Sequence, residues 1–127
     1  MKISTLLVLL GLSATAATAA VAAEVKGNAT AGATKVAVCQ ACHGEGGKTP
    51  ADPIYPSLAG QSSVYLQSAM TAYRDGLRQG GMSAMMAPQV ATLSDQDIGD
   101  IAAYYSQQMP AAAAGKTPSP PSPAAKP

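Results

Sequence analysis

Three stretches of the chain repeat apolar positions at helical intervals, and none sustains the two-residue alternation of a half-buried strand. The first runs from about residue 29 to 42, with Asn28 placed to cap its free N–H groups after Gly27. In the second, from about residue 62 to 78, Leu66, Met70, Tyr73 and Leu77 are spaced 4, 3 and 4 apart, which stacks them on one face. The third opens at Ser94, where Ser94 and Asp97 form the carboxylate variant of a capping box, and runs to about residue 108 on a stripe of Ile98, Ile101, Ala102 and Tyr105. Two segments break the pattern. Residues 44–60 contain Gly44, Gly46, Gly47, Pro50, Pro53 and Pro56, a density that no helix or strand interior tolerates. Residues 79–93 contain Gly80, Gly81, Pro88 and the methionines Met82, Met85 and Met86. The expectation is an all-α domain of three main helices joined by long loops, and loops of that length in a small domain need something to enclose.

The two ends read differently. Residues 1–23 combine Lys2, an apolar run from Leu6 to Leu12 and a string of small residues, the order of a secretory signal peptide cleaved after Ala20 or Ala23. The apolar run is shorter than the ~20 residues a bilayer-spanning helix needs, which argues against an uncleaved anchor. From Pro110 to Pro127 the chain holds six of its ten prolines and no large apolar residue, so residues 110–127 are predicted to be a disordered, solvated tail rather than a docking segment. One domain, residues 24–109, remains.

Composition narrows what that domain does. The chain is 47% hydrophobic but only 4% aromatic, with five Tyr and neither Phe nor Trp, so much of its apolar content is alanine. Its 127 residues exclude an enzyme with separate cofactor and substrate domains. Within 24–109, Lys26, Lys35, Lys48, Arg74 and Arg78 face seven acidic residues, so there is no basic field to hold nucleic acid.

What the loops enclose is announced by Cys39-Gln40-Ala41-Cys42-His43. Two thiols three residues apart on a helical turn lie on one side of the helix, able to form thioethers with two vinyl groups of one porphyrin, and the adjacent imidazole can reach the iron. A dithiol redox motif has the same C-x-x-C spacing but follows a strand, and none is predicted before Cys39. Zinc needs four ligands, whereas the chain has two Cys and one His in all. A structural disulfide explains neither the following His nor the loop-rich core. Because His43 is the only histidine, the sixth iron ligand is a methionine, a weaker donor such as lysine, or nothing. Met82, Met85 and Met86 sit beyond the middle helix, where a thioether can swing over the opposite face; Met70 lies on the apolar stripe and reads as core, and Met109 borders the tail.

From about residue 27 to 108 the chain resembles a class I c-type cytochrome, most like the bacterial periplasmic group that includes the lobes of dihaem cytochromes. The matching segments, in order, are CQACHGEGG, YPSLAGQ, YLQSAMTAYRDGLR and MMAPQVATLSDQDIGDIAAYY. The resemblance implies one haem c, held by thioethers at Cys39 and Cys42 with His43 as the proximal ligand. It puts the axial methionine seven residues before Leu93, at Met86, with Met85 next and Met82 third. It makes the Pro56 carbonyl the acceptor for the other ring nitrogen of His43, and it crosses the first and last helices with Gly32 against Tyr104. The single haem motif departs from the dihaem pattern, so the chain is expected to be monohaem.

With both axial positions filled, such a haem has no open site and gains or loses one electron, a neutral thioether favouring Fe(II). The expected function is a soluble periplasmic carrier of single electrons, monomeric or weakly oligomeric, between protein redox partners such as a quinol-oxidising complex and a terminal oxidase or reductase. It is neither an enzyme nor a receptor for a small-molecule substrate. The alternative is the electron-transfer subunit of a periplasmic dehydrogenase or oxidase complex. A catalytic or gas-sensing haem would need an open sixth position and would lack a second histidine for peroxide cleavage. Gln40, Ala41 and residues 82–86 are the expected rim, free of any cluster of like charges, so docking is expected to be apolar and weakly salt dependent.

Overall fold

The computed structural model describes residues 24–111, all helix, turn and loop. The export segment 1–23 and the tail beyond residue 111 lie outside the described residues. Among those described, no helix is long and apolar enough to cross a membrane.

The described residues form five α-helices: α1 (Ala29–Ala33), α2 (Ala37–His43), α3 (Ser63–Arg74), α4 (Ser83–Val90) and α5 (Asp95–Ser106). The all-α expectation holds, but the first predicted helix is two. Asn28 caps α1 as expected, accepting from the Ala31 N–H at 3.0 Å, and the helix then closes at Thr34. The interruption lets Val36 turn into the core, 1% exposed, while Lys35 reaches Asp97 and Asp100 on α5. Five residues of helix carry little cooperativity of their own, so these tertiary contacts decide the path.

Helix α3 starts at Ser62, whose side chain accepts from the Tyr65 N–H, and it buries Leu66, Gln67 and Met70. It ends earlier than its apolar spacing predicts. Gly76 takes φ +69, and the Leu77 and Arg78 N–H groups fold back to the Ala72 carbonyl. Leu77, expected on the buried stripe, therefore falls past the helix and is 79% exposed.

The second predicted loop contains α4. Gly80 and Gly81, both at positive φ, turn the chain, and helix follows at once from Ser83 even though Pro88 sits inside it. Burial of Val90 and the packing of Met86 and Leu93 against the core fix a segment whose Gly and Pro content reads as irregular. Helix α5 carries the predicted capping box in full: Ser94 Oγ accepts from the Asp97 N–H, and Asp97 Oδ2 accepts from the Ser94 N–H, each at 3.1 Å.

Helix α5 is the centre of the fold, packed on α1 and α3 with Ile98, Ile101, Ala102 and Tyr105 fully buried. Its crossing with α1 is as close as backbones allow. A Cβ at Gly32 would lie 2.1 Å from the Asp100 carbonyl oxygen and 2.9 Å from Tyr104 Cβ, which bears out the Gly32–Tyr104 expectation. A second contact of this kind, unforeseen in the sequence, brings Gly27 onto the Gly99 carbonyl. The α1–α5 side is thus shut, and the space in the molecule lies on the other side of α5.

Candidate cofactor site

Helix α2 delivers Cys39, Cys42 and His43 to one cavity, and the loop after it supplies the opposing surface. Gly44 and Gly47, at φ +79 and +68, reverse the chain around a single 3-10 turn, Glu45–Gly47. The Gly47 carbonyl then gathers the returning strand of the loop, accepting from the Leu58 and Ala59 N–H groups and the Ser57 hydroxyl. This brings the Pro56 carbonyl to 2.8 Å from His43 Nδ1. A carbonyl can only accept, so Nδ1 is the donor, and in the neutral tautomer Nε2 holds the lone pair of a buried ring that lines the cavity. Tyr55 packs edge-on to the imidazole, ring centroids 6.3 Å apart, and limits its rotation.

The cavity is about 400 Å³ and lined mostly by apolar surface. Cys39, Cys42 and His43 bound it on the α2 side; Met82, Met85, Met86, Val90 and Leu93 bound it from α4 and its flanks, and α2 and α4 do not pack closely on each other. Leu66, Met70, Ile101 and Tyr105 close the interior. Met70 is buried in the core cluster as expected, yet it also touches the cavity. Met86 is partly buried and packed against the core, whereas Met85 is 51% exposed. Met109 is exposed and lines no part of the cavity.

The charges and thiols are arranged consistently. No acidic side chain lines the cavity among the described residues, and the Lys/Arg residue in its lining is Arg78, whose guanidinium lies 4.8 Å over the Tyr73 ring. Cys39 and Cys42 form no disulfide with each other. Burial pushes the Cys39 thiol above its ordinary pKa, and Cys42 heads the influences that raise the Tyr55 hydroxyl. Two polar atoms in the lining residues, Tyr105 Oη and Gln61 Oε1, are buried without a hydrogen-bond partner among the described residues.

Sequence reasoning brought Cys39, Cys42, His43, Pro56 and the methionines to one place, and the structure does the same. It corrects the rim: Ala41 lines the opening but Gln40 does not, and Val38, Ile54 and Tyr65 stand there, all more than half exposed. Ile54 is an isolated apolar residue in a Pro-rich loop and carries no periodic signal, and Tyr65 lies on α3 but off the predicted stripe of Leu66, Met70 and Tyr73.

The residues fit a covalent haem. Two thiols, an imidazole lone pair held toward an apolar space and soft thioether sulfurs beyond it are the donor set of an iron porphyrin, and an apolar cavity this large would otherwise leave a small domain underpacked. Comparison with known proteins agrees. The family model described as cytochrome c matches residues 29–108. Cytochrome c-554(548) of Halomonas halodenitrificans is 57% identical over 82 residues, spanning 65% of this chain and 98% of that protein. Cytochrome c4 of Pseudomonas aeruginosa is 46% identical over 86 residues, 68% of this chain and 41% of that protein. The crystal structure of reduced recombinant cytochrome c4 from Pseudomonas stutzeri superposes with a TM-score of 0.55 at 41% identity, covering 67% of this chain and 47% of that one. The chain thus spans less than half the length of these cytochrome c4 relatives but nearly all of the Halomonas protein. With the C-x-x-C-H helix, its histidine fixed by Pro56 and a matching family across 29–108, the chain belongs to the cytochrome c family, an electron-transfer protein whose cofactor is covalent haem c.

Proposed function

We propose that the chain is a periplasmic monohaem cytochrome c that carries single electrons between protein redox partners, with Cys39 and Cys42 as the thioether attachments and His43 and Met86 as the axial ligands. The observation that carries this reading is His43: its Nδ1–H is committed to Pro56, and its free Nε2 belongs to a cavity shared with both thiols and the methionines of α4. Haem bound there supplies a reversible one-electron Fe(III)/Fe(II) couple. The protein's part is to hold and exclude. Pro56 and Tyr55 fix the imidazole against rotation. Leu66, Met70, Val90 and Ile101 keep water from the ligand side, so little solvent must reorganise as charge changes. Met86 is favoured over Met85 because its packing against the core presents a thioether in one place, while Met85 is largely in solvent.

Partners reach the cofactor edge through the apolar opening formed by Val38, Ile54, Tyr65, Met82 and Met85, each exposed by more than a third. No carboxylate stands in the lining, which supports docking by apolar contact rather than charge steering. The alternative, a subunit held in a dehydrogenase or oxidase complex, would use the same surface and is distinguished by copurification: a carrier migrates alone. The optical spectrum of the purified holoprotein tests the site. A low-spin reduced spectrum unchanged by carbon monoxide is expected, and ready carbon monoxide binding would overturn the two-ligand reading.

A further inference from the structure

Helix α4 carries Met86, yet among the described residues hydrogen bonds tie its segment to the rest of the fold at one point only. The other bonds of residues 80–93 are local: Ser83 N–H to the Gly80 carbonyl, Met85 and Met86 N–H to the Met82 carbonyl, Leu93 N–H to the Val90 carbonyl, and those inside the helix. Its entry is a glycine turn with open space around it. Gly80 and Gly81 take φ +81 and +52, and a Cβ at either would meet nothing within 4 Å. The helix is also weak in itself, since Pro88 has no N–H to return to the preceding turn and the N-cap Met82 makes no side-chain bond.

The one point is Arg74, the last residue of α3. Its Nη1 donates to the Leu93 carbonyl at 3.1 Å and to Asp95 Oδ1 at 2.7 Å, while its Nε donates to Asp75 Oδ1 at 3.1 Å. The guanidinium thus spans the corner between α4 and α5, on a side chain only 22% exposed. Asp75 and Asp95 are themselves exposed, so these ion pairs add little to overall stability. What they do is aim the fork at the Leu93 carbonyl, and Leu93 packs on the same core cluster and lines the same cavity as Met86. We propose that Arg74 is a positioning residue for the axial sulfur: it latches the C-terminal end of α4 to α3 and so keeps Met86 over the cofactor. Arg74 does not line the cavity, so its effect passes through the backbone at Leu93. With the latch open, α4 swings about the glycine turn and the sulfur leaves the sixth position to an external ligand. The inference rests on the assignment of Met86 as that ligand.

The test is imidazole titration of the ferric holoprotein in Arg74→Met, with Lys35→Met, which removes ion pairs on the α1–α5 side, as the control. Imidazole binds only where the sulfur has left, so its apparent affinity scales with the fraction of molecules in which α4 is open. Arg74→Met is expected to bind imidazole about tenfold more tightly than the parent, and on heating to lose the sulfur-to-iron band before the helices melt. Lys35→Met is expected to melt earlier but to keep the parent's imidazole affinity. Arg74→Lys retains the charge without the fork, and it is expected to bind imidazole more tightly than the parent and less tightly than Arg74→Met. Parent-like imidazole affinity in Arg74→Met, or in Arg74→Lys should Arg74→Met not fold, overturns the proposal. So does an equal tightening in Lys35→Met, which would make the effect one of general stability. A parent ferric protein without the sulfur-to-iron band would instead sink the Met86 assignment, and the latch with it.

Discussion

The two sides of α5 are built on opposite principles. Toward α1, backbone meets backbone at Gly27–Gly99 and Gly32–Asp100, and the polar groups trapped between are satisfied. Asp100, 4% exposed, accepts from the Asn28 N–H at 2.8 Å, Gln96 Nε2 at 2.8 Å and Lys35 Nζ at 2.7 Å, while Lys35 also reaches Asp97 at 2.6 Å. Toward α2 and α4, the same helix faces an apolar cavity with the Tyr105 hydroxyl unsatisfied and large apolar side chains around its mouth. One side is finished by the polypeptide. The other is finished by the cofactor, which supplies the aromatic bulk that a chain without Phe or Trp lacks.

The contrast breaks most severely if the cofactor is withheld. The double variant Cys39→Ala, Cys42→Ala, exported in the same way, is expected to lose its cooperative fold altogether, read by circular dichroism and thermal unfolding; a stable, cooperatively melting apoprotein would show that the cavity side needs nothing added. Next in size is Gly32→Val. Its added carbon would lie 2.1 Å from a backbone oxygen that has nowhere to go, so we expect a loss of about 3 kcal/mol or more in denaturant unfolding, while any folded fraction keeps the parent's haem spectrum. Parent-like stability in that variant would mean the α1–α5 crossing is looser than drawn.

A smaller effect follows from the carboxylates. The Lys35 ammonium heads the interactions that lower both Asp97 and Asp100 to about 2, with bonds from Ser94 aiding the first and from Asn28 and Gln96 the second. Groups depressed in the folded state stabilise it fully above their unfolded pKa, near 3.8, and that contribution is lost as pH falls toward 2. Lys35 is raised by the same partners, so its contribution is complete below its ordinary value of 10.5 and is lost only as pH climbs beyond it. Melting temperature is therefore expected to drop between about pH 4 and 2 in the parent and to drop less steeply in Lys35→Met; equal slopes would remove the ion pairs from the account. The least effect concerns the mouth of the cavity. Electron-transfer rates with a physiological partner are expected to change little with added salt, and a steep fall would show that charge, not the apolar opening, guides docking.

Much of this was legible in the sequence, for reasons that differ by region. Caps are local, so Asn28 and the Ser94–Asp97 box could be read directly. The Cys39–His43 motif is local too, and the resemblance adds Pro56, whose carbonyl lies 2.8 Å from His43 Nδ1. What escaped was decided at a distance. The break between α1 and α2 is set by where Lys35 and Val36 find partners on and around α5, and α4 forms in a Gly- and Pro-rich segment because Val90 and Met86 are buried by other elements. Leu77 misled because its spacing fitted the stripe while Gly76, one residue earlier, had already turned the chain out of the helix. Tyr105 was read as one more apolar position, and only the packing around it shows a hydroxyl without a partner.

The most direct test of the central claim, that α2 and α4 grip one haem from its two faces through His43 and Met86, is the long-wavelength sulfur-to-iron absorption band of the ferric protein in single variants. The account predicts that Met86→Ala abolishes the band and that Met85→Ala, altering a half-exposed side chain, leaves it in place. Loss of the band in Met85→Ala with its survival in Met86→Ala would contradict it.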